Sequence, residues 1–288
     1  AMNPHLGHEV EPEYQITPAA VTKKVMIIGA GPAGLEAAIT ARRRGHDVTI
    51  FEKSDRIGGN LHGYSANDLA RPDDLISVIR YYQTMLDKLG IEVRFNTEAN
   101  AKFMRSILHQ FDVCIVAAGA RTDLGHYRHL SGHERLVDAL DVARGVAEPG
   151  QRVVVVGAGK IGLTLAEALA KKGHKVMIVE EFKNIASDVM PSFKWRHSAW
   201  VEELDIRTLT STTLVNVDEA GALVRNNKGE ETRIPADTVI VSGPRKANHD
   251  LFNDFVWMID ELHGAGDAVI PRGLDASIHE GFRVGVRI

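Results

Sequence analysis

Regular patterning begins at Val25, where four apolar residues, Val25–Ile28, run into Gly29-Ala30-Gly31. An unbroken apolar run of this kind predicts a strand buried on both faces, ended here by the glycines. Pro32 suits the first helical position, where no backbone N–H is needed, and GLEAAITARRRG carries the helix to Gly45. HDVTIFE follows as a second strand. Helical spacing returns around Leu75–Leu89, then a strand over Ile91–Phe95 and a buried strand over Val113–Ala118. The pattern restarts at Gln151 with RVVVVGAGKIGLTLAEALAKKGHKVMIVEE, again strand, glycine turn, helix and strand. Between Thr208 and Ile240 short β-prone runs break at Glu219-Ala220-Gly221 and Asn227-Lys228-Gly229, which predicts antiparallel hairpins. ADTVIVSG supplies one more core strand, and a last helix is expected from about Asp275. Strands alternating with helices predict an α/β fold with parallel sheets and right-handed crossovers.

The restart is a repeat. RRRGHDVTIFEK at Arg42–Lys53 returns as AKKGHKVMIVEE at Ala170–Glu181, so counterparts lie 128 positions apart. Gly29, Gly31 and Gly34 match Gly157, Gly159 and Gly162, and Glu52 matches Glu180. Each residue type has a physical task. Gly29 or Gly157 permits the tight turn after the strand, and Gly31 or Gly159 leaves room for a pyrophosphate against the backbone. Gly34 or Gly162 lets the helix pack close to the sheet. The helix begins at Pro32-Ala33 in one copy and Lys160-Ile161 in the other, and its N-terminal N–H groups suit phosphate. The acid ending the second strand can accept both ribose hydroxyls of an adenosine. One such glycine pattern alone is weak. Two, each with its strand, helix and acid in the same register, predict two dinucleotide sites. The repeated His46 and His174 fall at the helix-to-strand turn, away from the glycines, and read as turn residues rather than catalytic ones.

Composition narrows the partners. A formal charge of −4 with 25% charged residues gives no basic field, so nucleic acid is not expected. Arg42–Arg44 read as the solvated last turn of a helix. No apolar stretch is long enough to span a bilayer, no signal-peptide core opens the chain, and no membrane partner is expected. The single cysteine, Cys114, lies within the apolar FDVCIVAAG and reads as a core residue. With one cysteine neither a disulfide framework nor a cysteine metal cage forms, which fits a reducing, cytoplasmic setting. Residues 1–23 carry three prolines and no periodicity, and read as an extended N-terminal arm that wraps or tethers something.

These motifs resemble the two-dinucleotide-binding flavoproteins, in which one Rossmann-like domain holds FAD and an inserted one holds NAD(P)H. VCIVAAGA, with Gly119, is similar to the family's strand ending in small residues and glycine. ADTVIVSGPRKAN, with Gly243, is its counterpart closing the nicotinamide domain. HGAGDAVIPRG resembles the late FAD motif, with Gly266 and with Asp267 on the ribityl chain. IGGN at Ile57–Asn60 resembles the loop whose paired glycines, including Gly59, pass the flavin side; Asn60 and Leu61 there, and Lys53 beside Glu52, join the cofactor set. Asn3-Pro4 with Gly7 and Glu9, together with GDAVIPRGLDASIHEG, narrows the resemblance to the old-yellow-enzyme-like iron–sulfur flavoenzymes of the 2,4-dienoyl-CoA reductase and trimethylamine dehydrogenase family.

The resemblance implies an FAD-binding domain over residues 24–135 and 243–288 and an inserted NAD(H)-binding domain over 136–242. It implies an electron-input role, hydride passing from NADH to FAD, with no catalytic side chain and no metal ligand. In intact family enzymes a barrel carries FMN and an iron–sulfur [4Fe-4S] cluster. The last cluster cysteine expected before Asn3 is absent, so the chain is expected to be a fragment, or a separate subunit, lacking both barrel and cluster, with the FMN/iron–sulfur barrel domain or subunit as its partner. The redox cysteine pair of disulfide reductases is absent from IGGNLHGYSAN as well. Glu180, with Glu181 beside it, opposes the 2′-phosphate of NADPH and favours NADH, while Lys183 argues the other way. Because a member of the family carries ADP in place of FAD, the first site is open between the two. Two other readings stand: a free-standing NADH-dependent reductase of an electron carrier, and a non-catalytic domain holding ADP.

Overall fold

The computed structural model describes residues 2–62, 72–130 and 133–288. Its elements run β1 (Lys24–Ile28), α1 (Pro32–Arg43), β2 (Asp47–Phe51), α2 (Pro72–Leu89), β3 (Glu92–Arg94), α3 (Ala101–Ile107), β4 (Val113–Val116) and β5 (Ala120–Thr122). Next come β6 (Leu136–Asp138), α4 (Ala139–Ala143), β7 (Arg152–Val156), α5 (Lys160–Lys171), β8 (Lys175–Val179), α6 (Pro191–Glu203) and β9 (Arg207–Leu209). They continue as β10 (Thr212–Asp218), β11 (Gly221–Asn226), β12 (Glu231–Ile234) and β13 (Thr238–Val241). The chain closes with β14 (Arg245–Ala247), α7 (His249–Phe255), β15 (Glu261–Gly264) and α8 (Leu274–Arg287).

Two compact units result. The first takes Ala1–Leu61, Ile76–Arg121 and Lys246–Ile288, and the second is chiefly Thr122–Arg245. Each holds a five-stranded parallel sheet, in the order β15-β4-β1-β2-β3 in the first and β6-β13-β7-β8-β9 in the second. The segment after β5 packs with the second unit because Tyr127 and Leu130 are buried there against Val154, Val179 and Leu214.

The unbroken apolar runs follow from covering both sheet faces. Along β1, Val25 and Ile27 face Leu35, Ile39, Tyr82 and Leu86 of α1 and α2. Met26 and Ile28 point the other way, into a cluster with Phe51, Met104, Cys114 and Phe255. In β7, Val153 and Val155 meet Leu163 and Leu169 of α5, whereas Val154 and Val156 meet Leu214, Val217 and Val224. That second face is covered by the antiparallel sheet β10-β11-β12, whose turns fall at the expected glycines.

The arm differs from expectation. It runs through turns and a short 3-10 helix at Pro12–Tyr14, because Tyr14 gains more by burial than by extension. Its ring stacks on Phe282 at 5.8 Å and on His8 at 4.1 Å, and its hydroxyl accepts from Arg283 at 3.0 Å. His46 is a structural residue: fully buried, its Nδ1 accepts from Lys23 N at 3.2 Å and its Nε2 lies 3.1 Å from the Ile288 carbonyl. Burial holds its pKa below the ordinary histidine value, consistent with a neutral ring that accepts on one side and donates on the other. His174 is also structural, its Nδ1 2.8 Å from the Gly150 carbonyl.

Helix α8 lies against α1 through small residues. A Cβ added at Gly281 would fall on the backbone of Ala33, and one at Gly285 would stand 2.7 Å from Thr40 Cβ. Backbone offers no room to yield, so Gly281→Val should push α8 off the first turn of α1. Overpacking of this kind costs about 1–3 kcal/mol. A fall in the urea midpoint of the purified variant checks it; an unchanged midpoint would mean that the two helices are not held this closely.

Candidate dinucleotide-binding sites

In each unit one inner sheet strand, β1 or β7, ends in a glycine turn whose geometry side chains would destroy. Gly29 and Gly157 both have φ of 100°. A Cβ at Gly29 would come within 2.5 Å of the Ala117 carbonyl oxygen, and one at Gly157 within 2.7 Å of Ser242 Oγ. At Gly34 and Gly162 a Cβ would collide with the carbonyl oxygens of Gly29 and Gly157, so the helix approaches the turn as closely as backbone allows. At Gly31 an added Cβ meets nothing within 4 Å among the described residues, which leaves space in front of the α1 N-terminus.

The paired acids hold these turns in place. Glu52 is 7% exposed; its Oε2 accepts from Ala30 N at 2.7 Å, and its Oε1 accepts from Ser54 N and Oγ at 2.8 and 2.7 Å. Its backbone donates to Arg94 O at 3.0 Å and accepts from Thr97 N at 2.9 Å. Glu180, 5% exposed, repeats the pattern with Ala158 N at 2.5 Å and Phe182 N at 2.9 Å. Its backbone bonds Leu209 O at 2.8 Å and Thr212 N at 2.9 Å. A carboxylate offers about four lone-pair sites. The protein occupies three on Glu52 and two on Glu180, so both keep acceptor capacity for a sugar hydroxyl.

Other expected residues of the first unit gather at its turn. Gly58 N donates to Ala30 O at 2.8 Å, and Gly59, with φ of 55°, would place a Cβ 3.2 Å from Gly31 Cα. Leu61 is buried behind this loop, with its N–H on Gly58 O at 3.1 Å. Gly266, with φ of 67°, sits so that its Cβ would lie 2.6 Å from Ala33 Cβ, which brings the late motif onto the first turn of α1. Asp267 Oδ1 accepts from Arg272 N at 3.0 Å, and Gly266 N donates to Glu280 at 2.9 Å. Gly119, with φ of 71°, turns the chain just after β4, and its carbonyl accepts from Asn248 N at 3.1 Å. Lys53 is exposed next to Glu52. In the second unit Lys160 and Ile161 open α5, as the repeat requires, and Gly243 follows β13.

Three contributors escaped the sequence reading. Ser54 caps Glu52, and Ser242 donates to the carbonyls of Val156 and Gly157 at 3.0 and 2.9 Å. Asp188 Oδ1 accepts from Lys160 N at 2.7 Å. The register of 128 positions pairs Asp188 with Asn60 and offered a signal; the two serines offered none. Burial pushes the Cys114 thiol up to about 12, so it is a core residue and no nucleophile. Among the described residues no cluster of metal-ligating side chains occurs, and no helix is long and apolar enough to cross a membrane.

Comparison with known proteins agrees with this geometry. The family model described as pyridine nucleotide-disulphide oxidoreductase matches residues 23–261. A metal reductase of Desulforamulus reducens is 28% identical over 317 residues, covering 99% of this chain and 47% of its own length. A cinnamate reductase of Clostridium sporogenes is 28% identical over 290 residues, covering all of this chain and 42% of its own length. The solved structure of a 2-naphthoyl-CoA reductase complex superposes with a TM-score of 0.90 at 33% identity, over 99% of this chain and 43% of that one. The chain thus spans less than half the length of these relatives.

The acid anchors are testable without any ligand. Ala30 and Ala158 are fully buried, so Glu52→Ala or Glu180→Ala leaves an N–H there without its acceptor. Each should lower the unfolding free energy of ligand-free protein by about 1–3 kcal/mol. Urea denaturation at neutral pH reads this out, and wild-type midpoints for both variants would show that the carboxylates do not hold the turns.

Proposed function

The chain belongs to the pyridine nucleotide-disulphide oxidoreductase family, and on that premise we propose that it is an electron-input module that takes a hydride from NADH onto FAD. The observation that carries this reading is the duplication of a whole site: two glycine turns, each anchored by a buried glutamate and each opening a helix. Family membership implies FAD and NAD(P)H. The residues present fit FAD in the first unit, where a Cβ added at Gly31 meets no described residue at a helix N-terminus and Glu52 keeps acceptor capacity. In the second unit Glu180 keeps the same capacity for the adenosine end of NAD(P)H, and Asp188 occupies the approach to Gly159 while no nucleotide is bound.

In this reading the first unit holds FAD through Gly29, Gly31, Ala33, Gly34 and Glu52, with Gly59, Asn60, Gly119, Gly266 and Asp267 along the rest of the cofactor. The second unit holds NADH through Gly157, Gly159, Lys160, Ile161, Gly162, Glu180 and Gly243. FAD supplies the hydride-accepting ring when bound, and the protein supplies position and charge. Helix N-termini orient the phosphates, and the glutamates fix the adenosine ends. The single, buried cysteine excludes an internal dithiol from the route of the electrons. The relatives' greater length supports a further barrel domain or subunit, carrying FMN and an iron–sulfur cluster, as the acceptor of those electrons. Selection of the final substrate then lies outside these residues.

Two outcomes test the reading. Purified protein should release FAD, and anaerobic NADH should bleach its flavin absorbance. Gly31→Val should be folded but largely flavin-free, since its side chain meets no described residue and would enter the space of the pyrophosphate. Released ADP in place of FAD would overturn the redox role, and full flavin content in the variant would overturn the first site.

Nucleotide choice follows from Glu180. Its free lone pairs suit ribose hydroxyls, whereas a 2′-phosphate would face a carboxylate with Glu181 beside it. NADH should bind at least about tenfold tighter than NADPH, equivalent to about 1.4 kcal/mol. Glu180→Gln, which keeps an acceptor for the turn, should narrow that ratio in a titration. Equal affinities in the wild type would remove Glu180 as the determinant.

A further inference from the structure

The two glycine turns differ in one respect that their shared register makes exact to the residue. In front of the second one stands a carboxylate of the chain itself. Asp188 Oδ1 takes the Lys160 N–H at 2.7 Å, and a Cβ built on Gly159 would lie 3.0 and 3.2 Å from the two Asp188 oxygens. The same construction at Gly31 finds nothing within 4 Å among the described residues. The counterpart of Asp188 is the neutral Asn60, and the counterpart of Lys160 is Pro32, which has no N–H to offer. Otherwise the copies agree closely: Gly58 N and Ala186 N each donate to the alanine carbonyl of their turn at 2.8 Å. Among the described residues, an anion of the chain therefore sits before the second glycine turn, where the copy is otherwise built to receive one, and none sits before the first.

We propose that Asp188 is an internal competitor for the pyrophosphate of the pyridine nucleotide, tuning the second site for exchange. This rests on the second unit being the NADH site. A helix N-terminus attracts anions, and the Asp188 carboxylate satisfies its N–H while no nucleotide is bound. An arriving pyrophosphate needs that N–H and the space before Gly159. Two anions at this separation repel, so the carboxylate withdraws on binding and returns on release. The interaction subtracts from nucleotide affinity and speeds departure of NAD⁺, while the first site carries the neutral Asn60 at the position of Asp188.

Isothermal titration of the full chain with NAD⁺, NADH and adenosine, in wild type and Asp188→Asn, tests this. Asparagine keeps an acceptor for Lys160 N but removes the charge. The variant should bind NAD⁺ and NADH about five- to tenfold more tightly, with slower NAD⁺ release by stopped flow, while adenosine affinity is unchanged. Equal NAD⁺ affinity in both proteins would overturn the proposal and leave the NADH site standing. Tightening shared by adenosine would overturn it too, since adenosine carries no phosphate. Absence of NAD⁺ and NADH binding in both proteins would overturn the NADH site itself and the proposal with it. If Asp188 serves only to cap α5, Asp188→Ala should lower both the melting temperature and the affinity; an Ala variant that binds NAD⁺ more tightly supports competition.

Discussion

A buried carboxylate bound to backbone amides at the tip of the second strand is the constraint on which both units depend. Removing a carboxylate from water is costly unless its oxygens find donors. Glu52 and Glu180 find them in the glycine turn and in the loop that follows the strand. The exchange is reciprocal, because the turn N–H groups are themselves buried and need acceptors. Turn, strand tip and next strand are thereby fixed together by one residue. The turn is ordered before any ligand arrives, so ordering it need not be charged against binding.

Around that shared anchor the copies diverge in what covers them. Helices α3 and α7 close the second face of the first sheet, and an antiparallel sheet closes that of the second. The turns diverge too. The Ala117 carbonyl stands against Gly29, whereas a serine hydroxyl stands against Gly157 and binds the turn's own carbonyl. The repeat is therefore conserved within this chain in its backbone and its acid, and free to vary in the side chains that face outward from them.

Much of this was legible in the sequence because it lay in period and register. Val25–Ile28 and Val153–Val156 are uniformly apolar since both sheet faces are covered, and the hairpin turns fall at glycine. Gly29, Gly34, Gly157 and Gly162 announce themselves because no other residue fits. Strand ends were less legible: β4 stops at Val116 although the apolar run continues, because Gly119 turns the chain. The turns and 3-10 helix within the N-terminal arm were not legible, because Tyr14 packs on Phe282, a partner 268 positions away (14 to 282). Ser54, Ser242 and Asp188 are small polar residues in loops, and nothing in their local spacing marks what they bind. Only tertiary contact assigns them.

The discontinuity of the first unit imposes an order on synthesis. The second unit is essentially one continuous stretch, Thr122–Arg245, and its strands are all made before the first unit has β15 or α8. Until those last segments leave the ribosome, β4 is a bare sheet edge of four buried-type residues, Val113–Val116, and the small-residue flank of α1 has no helix to close it. Unpaired edges of this kind invite pairing with other chains. Of these two units, the one carrying the first glycine turn is started before the other and completed after it, so its sheet edge stays unpaired while Thr122–Arg245 is translated.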